Sequence, residues 1–147
     1  MVIVQIMRHA DQESDSEGLG DRLHRAGLRT TLPRRAVFAA VEAESGHATA
    51  EEIRRTLRTR GIDLPRSSVN NVLDRLSQAG LIGRVDTVPG PARFEAETSP
   101  HDHFHCRVCK AIINVGPTRI ESPPRLPGSP TQVATTYLGT CHGCAEK

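Results

Sequence analysis

The sequence predicts an α+β fold in two parts, on three observations. Residues 19–80 carry apolar side chains at helical spacing interrupted by glycines. Residues 81–98 read as two strands around Pro89-Gly90-Pro91. Residues 98–147 hold four cysteines in two Cys-x-x-Cys pairs.

In chain order, residues 1–18 read as a tail with a short apolar start, an acidic stretch over 11–17, then Gly18 and Gly20. Leu19, Leu23 and Ala26 share one face of a first helix that Gly27 stops. Pro33 suits the first turn of a second helix, along which Val37, Phe38 and Val41 recur. Thr49-Ala50-Glu51-Glu52 is a capping box, with Ile53 and Leu57 facing inward from a third helix ending near Gly61. Val69, Val72, Leu73 and Leu76 form the stripe of a fourth helix, stopped by Gly80. Strands over Leu81–Val88 and Ala92–Thr98 follow. Helices and then a ribbon, within 80 residues, suggest a winged helix-turn-helix. The alternative is a generic small α+β domain.

Charge favours the first of these. Residues 20–94 hold thirteen Arg against eight Asp plus Glu, and 17 of the 19 basic residues in the chain are Arg. The guanidinium fork suits phosphate and guanine, although a high-GC genome also favours Arg. In a winged helix the fourth helix would enter the major groove of double-stranded DNA. Ser68, Asn70, Asn71, Asp74, Arg75 and Gln78 lie off its apolar stripe. An Asn pairs with adenine through two hydrogen bonds, whereas solvated polar residues are the commoner content of a surface helix.

At 147 residues the chain is too short for a large catalytic barrel or a dinucleotide fold. Its longest apolar run, Met1 to Met7 interrupted by Gln5, falls far short of the ~20 residues a membrane span needs. It has no recognisable secretory signal either. The expectation is a cytoplasmic protein with no membrane partner.

The cysteine pairs are Cys106-Arg107-Val108-Cys109 and Cys141-His142-Gly143-Cys144, separated by 31 residues. A reducing compartment disfavours disulfides, and a redox Cys-x-x-Cys normally opens a helix in a larger fold. Two such pairs can present four thiolates tetrahedrally, which makes a structural zinc site the expectation. Two unrelated surface pairs are the plain alternative. Pro100, Pro117, Pro123, Pro124, Pro127 and Pro130 crowd this part, which has few large apolar residues. A segment of this size cannot bury enough surface by itself and needs a metal or a partner.

His101-Asp102-His103-Phe104-His105-Cys106 is a second signal. On a strand the three histidines would share one side, with Asp102 on the other. Imidazoles with carboxylates suit Zn, Fe, Ni or Mn. A metallohydrolase is a rival reading, since such enzymes also use His-x-His. It would require an open coordination position and a general base, and no second ligand set is visible. The expectation is not an enzyme.

These residues resemble, in order, the ferric uptake regulator family. The resemblance rests on the stretches 27–35, 47–53 (His-Ala-Thr-Ala-Glu-Glu-Ile), 79–82 (Ala-Gly-Leu-Ile), 93–95 (Arg-Phe-Glu), 101–109 and 137–144. The last is similar to the C-terminal zinc knuckle of the actinobacterial branch. The resemblance covers roughly residues 19–147. It implies a dimeric, metal-dependent transcriptional repressor, with a winged-helix DNA-binding domain over 19–97. A small α/β or mainly β dimerisation domain stabilised by zinc would occupy 98–147. Matched by position, Cys106, Cys109, Cys141 and Cys144 would be structural zinc ligands. His47, at the start of the third helix, would join Glu95, His101 and His103 in a regulatory site. Fe2+ is the first expectation there, with Zn2+, Ni2+ or Mn2+ as alternatives. Arg29 matches a basic position at the minor groove or backbone, and Arg34 would be phosphate-directed.

The chain departs from the family in three places. The recognition helix usually carries Thr-Val-Tyr-Arg, where this chain has Ser68-Val69-Asn70-Asn71. Asn114 stands where an acidic ligand is common; its carbonyl oxygen can coordinate but brings no charge. Residues 117–130 replace a helix that many relatives have, leaving dimerisation to strands around Ala111–Val115 and Thr131–Leu138. Two alternative functions therefore stand beside the first: a zinc-stabilised DNA-binding or interaction module without metal sensing, and a peroxide sensor of the same family.

Overall fold

Two glycines fix the ends of the helix pair at the centre of the N-terminal part. Gly61 and Gly80 have φ of 74° and 69°, the left-handed region that ends a helix without a Cβ penalty. The residue after each donates back across the last turn, Ile62 to Leu57 O and Leu81 to Leu76 O, both at 2.9 Å. The computed structural model describes residues 18–86, 88–118, 125–128 and 135–146. The chain divides into two units, Met1–Thr98 and Ser99–Lys147.

In the first unit, α1 (Leu19–Arg25) and α2 (Leu32–Ala43) precede a two-residue strand, β1 (Ala48–Thr49). Then come α3 (Ala50–Thr59), α4 (Arg66–Gln78) and the wing strands β2 (Gly83–Val85) and β3 (Arg93–Glu95). Pro33 sits in the first turn of α2. Thr49 closes both halves of its capping box with Glu52. Leu23, Val37, Phe38, Val41, Ile53, Leu57, Val69, Leu73, Leu76 and Phe94 join one apolar core. Each such side chain contributes roughly 1.5–3 kcal/mol on burial. The α3–α4 turn is tied down by Arg54 Nε donating to Leu64 O at 3.1 Å and by an Arg58–Asp63 ion pair at 3.2 Å.

Two expectations are corrected here. The wing strands are shorter than 81–88 and 92–98, because Leu81 and Ile82 drop into the core as the chain leaves α4. His47 does not begin α3. It precedes β1, a strand too short to leave a periodic signal, and β1 pairs with β3 in a sheet ordered β1-β3-β2.

The second unit is mainly β. A central strand β4 (Asp102–Cys106) lies antiparallel to β5 (Ile112–Val115) and parallel to β6 (Thr136–Gly139), followed by a single turn of helix, α5 (His142–Ala145). The β5–β6 connection is anchored at both ends by the buried Asp102. Its carboxylate accepts the backbone N–H of Thr118 at 2.7 Å and of Thr135 at 2.8 Å. A hydrogen bond from the Thr118 hydroxyl, and then these two backbone bonds, hold the Asp102 carboxyl below its ordinary value. Of the expected later strand, residues 131–134 lie outside the described residues, as do residues 1–17 of the tail. Within 117–130, residues 117–118 and 125–128 are described, and none is in a helix or strand.

Candidate metal centres

β4 ends at Cys106, and the tight turn of residues 107–109 returns Cys109 towards it. In that turn Lys110 takes φ of 64° and donates its N–H to Cys106 O at 3.0 Å. Cys141 caps α5, whose single turn carries Cys144. The four sulfurs all lie within 4.8 Å of one another, and Cys109 and Cys141 are 3.8 Å apart. Zn–S bonds of about 2.3 Å in a tetrahedron place neighbouring sulfurs about 3.8 Å apart, so these four thiols fit zinc. All four are free. Backbone N–H groups, that of Cys141 first, turn towards Cys106 and pull its thiol down to about 6. Cys144 moves the other way, to about 12, mainly because it hydrogen-bonds the Cys141 thiol.

The remaining donors form one pair in each unit. In the first, β1 pairs Ala48 with Phe94, which brings His47 beside Glu95. His47 Nε2 stands 3.0 Å from Glu95 Oε2, with both side chains at least 95% buried. Two buried metal-ligating atoms this close, an imidazole nitrogen and a carboxylate oxygen, suit a shared cation. Gly83 makes room for the arrangement: a Cβ there would stand 2.7 Å from Glu95 Cγ and 2.8 Å from Glu97 O.

In the second unit, His101 Nδ1 lies 2.8 Å from Ser99 O. A carbonyl can only accept, so Nδ1 carries the proton and the neutral ring presents a lone pair at Nε2. That nitrogen faces His103 Nε2 at 3.0 Å. His103 is buried, and its backbone N–H donates to Thr135 O at 2.9 Å. Asn114 is exposed, directly opposite His103 in the β4–β5 register. His105 is 5% exposed, and its Nδ1 has no hydrogen-bond partner among the described residues.

The expected DNA-contacting residues are all in the first unit. Asn70 and Asn71 are exposed on α4, and Ser68 is half-buried in its first turn. Asn71, Asp74, Arg75 and Gln78 line an open groove on that helix. Arg84 braces the helix against the wing, with Nη1 2.6 Å from Asp74 Oδ1 and Nε 2.8 Å from Asp86 Oδ2. Arg29 is exposed between α1 and α2. Arg34 donates from Nη1 to Arg29 O at 2.6 Å, so it holds the Arg29 loop as well as offering charge.

Sequence reasoning missed Gly83 and gave Arg93 no role beyond its place in Arg-Phe-Glu. Arg93 Nη1 donates to His47 O at 3.0 Å. Nothing in the sequence links residues 46 positions apart; only the β1–β3 pairing does. Among the described residues no helix is long and apolar enough to cross a membrane.

The family model described as the ferric uptake regulator family matches residues 25–131. The transcriptional regulator FurA of Mycobacterium tuberculosis is 33% identical over 132 residues, which is 85% of this chain and 88% of that protein. Ferric uptake regulation protein 1 of Mycolicibacterium fortuitum is 38% identical over 94 residues, 63% of this chain, and the match spans 58% of that protein. The crystal structure of the Vibrio cholerae ferric uptake regulator superposes with a TM-score of 0.64 at 26% identity, covering 83% of this chain and 98% of that one. The chain belongs to the ferric uptake regulator family, whose members are metal-responsive transcriptional regulators and not enzymes.

Proposed function

We propose that the protein is a metal-dependent repressor that binds A·T-rich inverted-repeat operators as a homodimer in the cytoplasm. Residues 19–97 serve as the DNA-binding domain and residues 98–147 as the dimerisation domain. A structural Zn2+ is held by Cys106, Cys109, Cys141 and Cys144. A second divalent ion, Fe2+ first and Zn2+, Ni2+ or Mn2+ otherwise, takes His47, Glu95, His101 and His103. Asn114 is within the same ligand set as a neutral oxygen donor.

The observation that carries this reading is the state of the two donor pairs. His47 Nε2 and Glu95 Oε2 are buried 3.0 Å apart. His101 is fixed by Ser99 O in the tautomer that points a lone pair at His103. When bound, the metal supplies a positive centre that rewards ligands from both units at once. A ligand set drawn from two units favours arrangements in which both can reach, which is how a metal shifts a population towards the DNA-competent one. On the DNA, the α4 asparagines read adenine and Arg29 enters a narrow A·T minor groove, where negative potential is concentrated. Arg34 adds affinity that depends little on sequence.

Operator binding by fluorescence anisotropy, measured on zinc-loaded protein against added Mn2+ as an air-stable substitute for Fe2+, tests this. Mn2+ should tighten binding by about 5- to 150-fold, the usual range of such coupling. His47→Ala and His101→Ala should each abolish the gain while keeping zinc and the dimer. Unchanged binding at every metal level, in wild type and variants alike, would leave the zinc-stabilised module without sensing, which Asn114 favours. Loss of the gain on peroxide treatment of the Fe2+ form alone would identify the peroxide-sensing variant.

A further inference from the structure

We propose that Arg93 is the positioning residue that ties the His47–Glu95 pair to the first helix of the helix-turn-helix. The proposal rests on the metal-sensing reading above and names the route by which that site reaches the DNA-binding elements.

One guanidinium nitrogen serves both sides of the link. Arg93 Nη1 donates to His47 O at 3.0 Å and lies 3.7 Å from Glu52 Oε2. The same Glu52 oxygen accepts the Thr49 N–H at 2.7 Å and the Thr49 hydroxyl at 2.8 Å. Thr49 Oγ1 in turn accepts the Glu52 N–H at 3.2 Å. Glu52 therefore closes the N-terminus of α3 and faces the cation that grips His47. In the β1–β3 register Thr49 is opposite Arg93 and Ala48 opposite Phe94. Arg93 thus leaves β3 one pair away from Ala48 and two from the His47–Glu95 level. Its side chain is 27% exposed, which keeps the bridge partly desolvated.

Movement of the His47 ring onto a cation shifts its own backbone, and the carbonyl held by Arg93 is part of that backbone. The guanidinium, planar and rigid, transmits the shift through Nη1 to Glu52 and so to the start of α3. α3 and α4 share one core, to which α3 gives Ile53 and Leu57 and α4 gives Leu73 and Leu76. A Lys could also place one cationic nitrogen between the carbonyl and the carboxylate, but its flexible stem holds that nitrogen less rigidly than a guanidinium does. The plainer role for an arginine on a wing strand is a phosphate contact, and the two roles differ in a measurable way. A phosphate contact sets the salt dependence of binding, whereas a positioning residue sets the response to metal.

The test uses the full-length zinc-loaded protein and a duplex selected by wild type from a random-sequence library. Operator affinity is measured with and without Mn2+ across a salt series for wild type, Arg93→Gln and Arg93→Lys. The expected result is that Arg93→Gln loses about nine-tenths of the metal-induced gain, with an unchanged salt slope, and that Arg93→Lys recovers part of it. A wild-type gain in Arg93→Gln would overturn the proposal. So would a salt slope reduced by about one with the gain retained, which marks a phosphate contact. A wild type that shows no metal response overturns the metal-sensing reading itself, and this proposal falls with it. Zinc content and helical circular dichroism verify folding. If Arg93→Gln does not fold, Glu52→Gln cuts the same link from the other end and should lower the gain too; a full gain there overturns the proposal equally.

Discussion

The two units are held together by different physics. Apart from Cys106, every buried hydrophobic residue among those described belongs to the first unit, from Leu23 to Phe94. The second unit buries Asp102, His103, His105 and Cys106, while Val108, Ile113, Leu126, Tyr137 and Leu138 are exposed. One unit buries aliphatic surface in the ordinary way. The other has polar groups and sulfur where a core would be, and among its described residues no large apolar side chain is fully buried. A small domain that cannot offset chain entropy with apolar burial depends on a metal, a partner or both. The contrast assigns stability to the first unit and conditional order to the second, which is a useful division in a regulator that must respond to metal.

The largest effect should come from the sulfur cluster. Structural zinc contributes on the order of 10–16 kcal/mol to domains of this kind. Cys141→Ser should therefore release zinc and raise amide exchange across residues 102–106, 112–115 and 136–139 to unfolded rates. Amides of α2 should stay protected. Equal loss of protection in both units would mean that they are not stabilised separately.

A core cavity should act the other way round. Leu73 is fully buried in α4, and Leu73→Ala should cost about 2–5 kcal/mol in urea unfolding followed by helical circular dichroism. Zinc content should not change. Loss of zinc in this variant would erase the distinction between the units.

The smallest effect sharpens the picture inside the first unit. Thr49→Ala removes a side-chain acceptor at the α3 N-terminus and should cost about 0.5–2 kcal/mol. Glu52 adds a pH signature. The Thr49 backbone N–H, with the Thr49 hydroxyl and Arg93 assisting against burial, lowers its pKa from the ordinary 4.5. Folding lowers this pKa, so the contribution is complete above about 4.5, the unfolded value, and is lost as pH falls through the folded one. Glu52→Gln should flatten the acid limb of stability measured between neutral pH and that region.

Helix positions were legible because their signals are local. The capping box at Thr49, Pro33 in the first turn of α2, and Gly61 and Gly80 beyond their helices each act within four residues. The cysteine spacing likewise carried its own chemistry. Pairing across the sheet was not legible. β1 is two residues long, and Gly83 reads as an ordinary small residue until Glu95 is seen folded over it. Asp102 looked like a companion of the histidine run; its partners Thr118 and Thr135 are 16 and 33 residues away. Arg93 reads as part of the Arg-Phe-Glu stretch, but its grip on His47 depends on a tertiary register. Local sequence specifies caps, stripes and the cysteine pairs, whereas the supports of His47 and Glu95 come from contacts that only the folded chain makes.

The contrast between the units is tested most directly by stripping zinc from the reduced wild-type protein with a strong chelator. An amide correlation spectrum by NMR, with elemental analysis of the same sample, follows both units at once. One zinc per chain should be present before treatment. On its removal, resonances from residues 102–106, 112–115 and 136–139 should collapse to unfolded positions, while those of α2, α3 and α4 stay dispersed. A zinc-free protein whose second unit keeps its dispersed resonances would contradict a metal-held fold.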